Sequence, residues 1–280
     1  MISPSDSHVH SEWSWDAWNG SMDRSCARAL ELGLPAIAFT EHLDHTVWTV
    51  ALDELEADHP LVALRDPDGR VTPPELEITG YLESIARCRD LFPGLRILSG
   101  LELGEPHWHA EATNRVLATG EFDRVLGSLH CLPDGDEFRE PPGLYGHRDP
   151  GEVLRSYLHE VARLVRESNA FSVLAHIDYP LRHWPDAHKP FDPAAFEGEF
   201  RHALRATAES GKALEISTIL PLHDTILSWW YDEGGEAVTF GSDAHDSSNV
   251  AQRFPDAVAM AEACGFRPGC DPLDFWRRSI

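Results

Sequence analysis

Lysine is nearly missing from this chain: Lys189 and Lys212 are the only two among 23 basic residues. Many metal-dependent amidohydrolases bridge two ions with a carbamylated lysine on a strand. Neither residue suits that role, because Lys189 reads as loop and Lys212 comes before its strand, at the wrong end. Cysteine is sparse as well. Cys26, Cys88, Cys131, Cys264 and Cys270 are odd in number, scattered and without a CxxC pair. Reduced thiols fit this better than a disulfide framework. No apolar run approaches the roughly 18 residues of a membrane span. The first residues carry neither a basic region nor an apolar core, so a cytoplasmic protein without a membrane partner is expected. Positive charge is also lacking: 47 acids against 23 bases leave a net charge of −24. Such a surface repels phosphate backbones and argues against a long nucleic acid as partner.

What the chain does have is histidine and acid at the ends of short apolar runs. The first is Asp6-Ser-His8-Val-His10, followed by Asp16. Residues two apart on a strand face the same side, so His8 and His10 converge while Val9 turns away. Five later runs end in the same way: Pro35 to Thr40 before Glu41-His42, Leu95 to Glu102, Phe122 to His130, Phe171 to His176, and Ala237 to Asp243-Ala-His245. Neutral imidazoles with nearby carboxylates suit divalent transition metals. Unpartnered polar groups at buried strand ends are costly, so their accumulation points to a shared ligand.

The runs alternate with helical patterns. Strands are expected near 4–9, 35–40, 95–101, 122–129, 171–175, 213–218 and 238–241. Helices are expected near 21–33, 79–92, 108–119, 151–168, 193–210, 221–233 and 248–264, with irregular stretches at 43–77, 131–149 and 178–192. In the 151–168 segment Val153, Leu154, Tyr157, Leu158, Val161 and Leu164 recur at helical spacing. Near-continuous apolar strands alternating with helices mark a parallel sheet. In closed β/α barrels the reactive groups sit at the strands' C-terminal ends. At 280 residues the chain has the length of one such barrel with seven units instead of eight.

The segments DSHVHSEWSWDA, FTEH, SGLELG, GSLH, LAHIDYP and FGSDAH, in this order from residue 6 to 245, resemble the PHP (polymerase and histidinol phosphatase) family. Within it the chain is similar to the monofunctional histidinol-phosphate phosphatases. The resemblance implies an α/β fold, a distorted (β/α)7 barrel related to the TIM barrel, with residues 1–280 as a single metal-dependent phosphoesterase domain. It implies three divalent ions, Mn, Fe or Zn. Carried over by motif, His8, His10, Glu102 and Asp243 would hold the first ion, and Asp16, His42 and His245 the second. His130 and His176 would hold the third, with Glu102 bridging from the first. Glu41 and Asp178 are candidates to orient imidazoles. The implied reaction is hydrolysis of a small phosphate monoester, histidinol phosphate foremost, by a hydroxide bridging two ions. Its partner would be that small ester; nucleotides or short oligonucleotides are the alternative substrates.

Substrate contacts are less legible. The phosphatase branch often continues its sixth strand with Glu-Ile-Asn-Thr-Ser-Gly and a base, whereas this chain has Glu215-Ile-Ser217-Thr218-Ile-Leu220. Arg182 is the candidate phosphate clamp, since a guanidinium matches phosphate oxygens in a bidentate fork. His183 beside it is a second substrate candidate. Arg139, Arg148 and Arg253 rank behind, and Trp13, Trp15, Trp48 and Trp184 could wall a pocket. The calcium-loop echo at 65–75 places Leu64 where the first carboxylate belongs, so calcium binding is not expected there. His107 and His109 open a helix and diverge, so joint ligation is not expected.

Overall fold

Seven apolar runs form seven parallel strands that lie side by side in chain order. They are β1 (Asp6–Val9), β2 (Ala36–Leu43), β3 (Arg96–Gly104), β4 (Arg124–Ser128), β5 (Val173–Leu174), β6 (Ala213–Ser217) and β7 (Ala237–Gly241). A helix follows each one: α1 (Met22–Glu31), α2 (Ile78–Leu91), α3 (Ala110–Leu117), α4 (Pro150–Glu167), α5 (Glu197–Glu209), α6 (Asp224–Asp232) and α7 (Phe254–Ala263). The structure, a computed structural model, describes residues 3–51, 55, 59–185, 190–271, 273 and 275–279. His188 and Lys189 lie outside the described residues. The result is the expected distorted (β/α)7 barrel. No helix among the described residues is long and apolar enough to cross a membrane.

The helices are specified locally. Asp149 caps α4 by accepting the N–H of Glu152, with Pro150 in the first turn, where its missing donor costs nothing. Val153, Leu154, Tyr157, Leu158, Val161 and Leu164 are all buried on one side of α4 and join the core between sheet and helices. At the strands' N-terminal ends Arg124 lies over the Phe275 ring, 4.4 Å from its centroid, and burial pushes its guanidinium down to about 10. Lys212 donates to the Val165 carbonyl at 2.9 Å and packs over Phe171, so it serves the helix–strand packing.

Several local expectations differ from the fold. The 248–264 segment is not one helix: a short 3-10 turn at Ser247–Asn249 precedes α7. Ala251 and Arg253 between them have φ of 52° and 56°, which no helix continues through. The 193–210 segment likewise opens with a 3-10 turn, Pro193–Phe196. The stretches expected to be irregular hold small elements. Trp48–Thr49 pairs with Arg70–Val71, and Leu132–Asp134 pairs with Glu137–Arg139. In the first ribbon Asp66 Oδ1 accepts the N–H groups of Asp68 and Arg70, so the calcium-loop echo is a hairpin turn. The tail adds β8 (Phe266–Arg267) and β9 (Trp276–Arg278), antiparallel to one another, with β9 against the start of β7. Strands of two or three residues carry no readable period.

The barrel closes between β1 and the end of β7. The Asp243 N–H donates to the His8 carbonyl at 2.8 Å, and the His10 N–H to the Ala244 carbonyl at 2.9 Å. Buried Asp6 staples this seam: Oδ1 accepts the Ser242 N–H at 3.0 Å and Oδ2 the Ala251 N–H at 2.8 Å. Burial pushes its carboxyl up to about 6. Asp6→Ala leaves those donors without their acceptor, at about 1–3 kcal/mol each. Urea denaturation is expected to show a loss of about 2–6 kcal/mol. A variant as stable as the parent would mean that the main-chain bonds alone hold the seam.

Candidate metal centre

The closed end gathers imidazoles around one carboxylate. Glu102, on β3, is fully buried. Its Oε2 lies 3.2 Å from His8 Nε2, 3.4 Å from His10 Nε2 and 3.2 Å from His42 Nδ1. Its Oε1 lies 2.6 Å from His176 Nε2 and 3.3 Å from His130 Nε2. Asp243 Oδ1 stands 3.1 Å from His10 Nε2 and 3.5 Å from His8 Nε2. Asp16 Oδ2 stands 3.3 Å from His42 Nε2 and 3.2 Å from His245 Nε2. All nine side chains carried over from the sequence thus meet in one place.

Backbone geometry explains the meeting. His8 and His10 share a side of β1 and its extension. Asp243, just past β7, has φ of 49°, a left-handed turn that a short polar residue tolerates. Gly241 lacks the Cβ that would lie 2.5 Å from Glu215 Oε2 and 2.8 Å from the His8 Cβ. That gap lets Glu215 Oε2 accept from His8 Nδ1 at 2.7 Å, while its Oε1 accepts the His176 N–H at 3.3 Å.

The arrangement suits cations better than itself. His8 and His10 present Nε2 atoms to each other at 3.0 Å. Around an ion with bonds of roughly 2.0–2.2 Å, neighbouring ligand atoms lie about 3–3.5 Å apart. Glu102 Oε2, Asp243 Oδ1, Asp16 Oδ1 and Asp44 Oδ1 are buried without a hydrogen-bond donor. Four sets each bring single ligand atoms within 4.8 Å of one another: His8, His10, Glu102 and Asp243; His10, His42 and His245; Glu102, His130 and His176; and His42, Asp44 and His130. The donor set of imidazoles and carboxylates fits divalent transition ions.

Without cations, protons fill the role. Burial disfavours charge on His8, yet the carboxylates of Glu215, Glu102 and Asp243 outweigh it and raise the imidazole well above its ordinary value. The same balance, set by Asp16, Asp44 and Glu102, lifts His42 to about 10. His130 and His245 rise too. Burial is opposed, and overcome, by these imidazoles in Glu102, Asp243 and Asp16, whose carboxyls fall well below the usual range. His176 goes the other way, lowered by burial.

The surrounding side chains divide. Glu41 reaches the imidazoles through Ser14: it accepts from the Ser14 hydroxyl, whose oxygen lies 2.9 Å from His10 Nδ1. Asp178 is buried, its carboxyl pushed up to about 6 by burial against the pull of Arg182, and the His176 Nδ1 it was expected to orient has no hydrogen-bond partner. Arg182 does reach the centre, with Nη2 2.8 Å from Asp243 Oδ2 and 3.4 Å from Ser217 Oγ. His183, the next residue, is exposed. Arg139 pairs with Asp134 and Glu137, Arg148 donates to Ser156, and Arg253 to the Ile219 carbonyl. His107 turns to Glu160 and His109 to Thr46, so they diverge as expected.

Four residues at the site were not anticipated in this role. Asp44 stands 3.5 Å from both His42 Nδ1 and His130 Nδ1. Glu215 holds His8. Glu105 accepts the His130 N–H at 2.6 Å. Glu140 accepts from the Tyr179 hydroxyl at 3.1 Å, and burial pushes its carboxyl up to about 7.

A family model described as "PHP domain" matches residues 6–219. The chain belongs to the PHP family. Among curated relatives, a probable histidinol-phosphatase of Thermotoga maritima is 36% identical over 268 residues, 93% of this chain and 92% of that one. A probable histidinol-phosphatase of Deinococcus radiodurans is 27% identical over 276 residues, 94% of each. The crystal structure of histidinol phosphate phosphatase from Lactococcus lactis, complexed with zinc, L-histidinol and phosphate, superposes with a TM-score of 0.77. It is 23% identical and the match covers 98% of this chain and 99% of that one. This PHP chain is therefore similar along nearly its whole length to the phosphatase branch, and its barrel is that branch's fold.

Proposed function

We propose that this PHP protein is a metal-dependent phosphoric monoester hydrolase whose substrate is histidinol phosphate, working as one unit with three divalent ions at the closed end of the barrel. The observation that carries the reading is Glu102, a single buried carboxylate within 3.4 Å of five imidazoles, with a guanidinium at the edge of the cluster. The phosphatase relatives, and the zinc, histidinol and phosphate of the Lactococcus protein, supply the substrate class. His8, His10, Glu102 and Asp243 would hold one ion, Asp16, His42 and His245 a second, and His130, His176 and Glu102 the third. Bound there, divalent ions would supply an activated water and neutralise phosphoryl oxygens.

The protein's own groups do the positioning. Glu215 fixes the His8 ring with Nε2 facing the cluster. Ser14, locked by Glu41, fixes His10. Glu105 anchors the main chain at His130 and Cys131. Arg182 offers N–H groups to a phosphoryl oxygen from beside Asp243; its charge grows more valuable as negative charge builds on phosphorus. Ser217 steadies that guanidinium from the position where the branch often carries Asn.

A screen of the metal-supplemented protein should give histidinol phosphate a kcat/KM well above those of nucleoside monophosphates and of a phosphodiester. A preference for the diester would sink the assignment. Arg182→Ala is expected to cut kcat/KM for the monoester by about 10²–10³-fold, as for other donors aimed at developing charge. Unchanged kinetics would remove Arg182 from the site.

A further inference from the structure

Next to His42 opens a cleft of about 300 Å³ that the chemistry above leaves unused. Three indoles, Trp13, Trp15 and Trp18, wall it, and Glu12 and Glu75 edge it. Two of the indoles are held in place. Trp13 lies against α2 at Gly80, where an added Cβ would stand 2.4 Å from a ring carbon; only a residue without a Cβ seats that ring. Trp15 donates from Nε1 to Asp44 Oδ2 at 2.9 Å and packs on Trp48, with ring centroids 5.5 Å apart. Trp18 is 51% exposed, although burying so large a side chain is strongly favourable.

The lining has a definite chemistry. Indole faces attract cations by roughly 0.5–2 kcal/mol and stack on planar rings. Two exposed carboxylates at the rim add negative potential, and among the described residues no lysine or arginine lines the cleft. An anionic group gains less there than a planar ring with an ammonium group beside it. The position matters equally. The cleft touches His42, whose ring nitrogens also face Asp16, Asp44 and Glu102 of the cluster, so an ester with its phosphoryl group at the cluster reaches the cleft through a short carbon chain.

We propose that this cleft binds the organic half of the ester and selects a planar nitrogen heterocycle on a chain that carries an ammonium group, with Trp18 and Glu75 as specificity-determining residues. The inference rests on the phosphatase reading given above and adds to it the side of the metal centre on which the leaving group lies.

The test uses the metal-loaded full chain and its Trp18→Ala and Glu75→Gln variants, both altered at exposed positions. Substrates are histidinol phosphate and glycerol phosphate, which has neither ring nor cation. Each variant is expected to raise KM for histidinol phosphate about tenfold with little change in kcat, and so to lower the kcat/KM ratio of the two substrates. In parallel, L-histidinol titrated into each protein should quench tryptophan emission saturably in the parent and far more weakly in Trp18→Ala. If the parent hydrolyses histidinol phosphate but both variants keep its KM and its histidinol titration, the cleft assignment is overturned while the phosphatase reading stands. An equal loss on both substrates overturns it too, since that is a structural effect. If the parent leaves histidinol phosphate intact, the phosphatase reading falls. The titration then decides the cleft alone: a quench lost in Trp18→Ala upholds it and no quench overturns it.

Discussion

Glu102→Gln is expected to reduce phosphatase activity by at least about 10⁴-fold and to leave purified protein short of metal. The substitution keeps the shape and removes one negative charge at the point where five imidazoles converge. Glu102 is fully buried, so bulk solvent does not screen the loss of its charge. Gln also presents an amide N–H₂ to nitrogen atoms that must act as acceptors toward an ion, and both its ends face imidazoles. Metal analysis by mass spectrometry together with kcat on histidinol phosphate checks this. A variant that keeps both its metal content and a tenth of its activity would show that Glu102 is a bystander. His10→Ala and Asp243→Ala should behave alike, with folding retained, because their partners are other ligands, Ser14 and Arg182, and not the apolar core.

Much of this site could be read from the chain, for a physical reason. Residues on a strand keep a period of two, and parallel strands bring their C-terminal ends to one side. His8, His10, Glu102 and His176 could therefore be placed together from motif position alone. Asp44 could not. It lies beyond the end of β2, two residues after His42, within what read as a long irregular stretch. Nothing in the spacing says that the chain there turns its carboxylate back toward His130. Glu215 hid differently: it sits mid-strand in β6, where a barrel-facing acid looks like any other polar break, and its contact with His8 depends on Gly241 across the sheet. Arg182 is legible from its chemistry, and its neighbour His183 only from sequence adjacency. On a 3-10 turn, adjacent residues point apart, and only the first of them reaches Asp243. The break before α7 was invisible because Ala251 and Arg253 are ordinary helix formers, held in left-handed conformations in a loop whose Ala251 N–H is bonded to Asp6.

Removing the metals should uncover a pH dependence opposite to that of the loaded protein. In the metal-free cluster the imidazoles of His8, His42, His130 and His245 take up protons more readily than in the unfolded chain, because buried carboxylates face them. A group whose pKa is raised by folding stabilises the fold below its unfolded value, near 6.5, and that contribution disappears as pH climbs through the folded value. For His42 the window runs from 6.5 to about 10. The carboxyls of Asp16, Asp44, Glu102 and Asp243 are lowered instead; their contribution is present above about 4 and is lost as pH falls through their folded values. Metal-free protein should therefore be most stable between about pH 4 and 6.5 and lose stability toward pH 9. Loaded protein should not follow that decline, because cations replace the protons and bind more tightly as protons leave. Chelator-treated and reloaded samples compared by thermal denaturation at pH 6 and pH 9 should show a gap in Tm that widens with pH. Calorimetric metal titrations in two buffers of different ionisation enthalpy should show protons released near neutral pH. A Tm gap that narrows toward pH 9, or loading without proton release, would mean that carboxylates and imidazoles do not form the charge cluster described here.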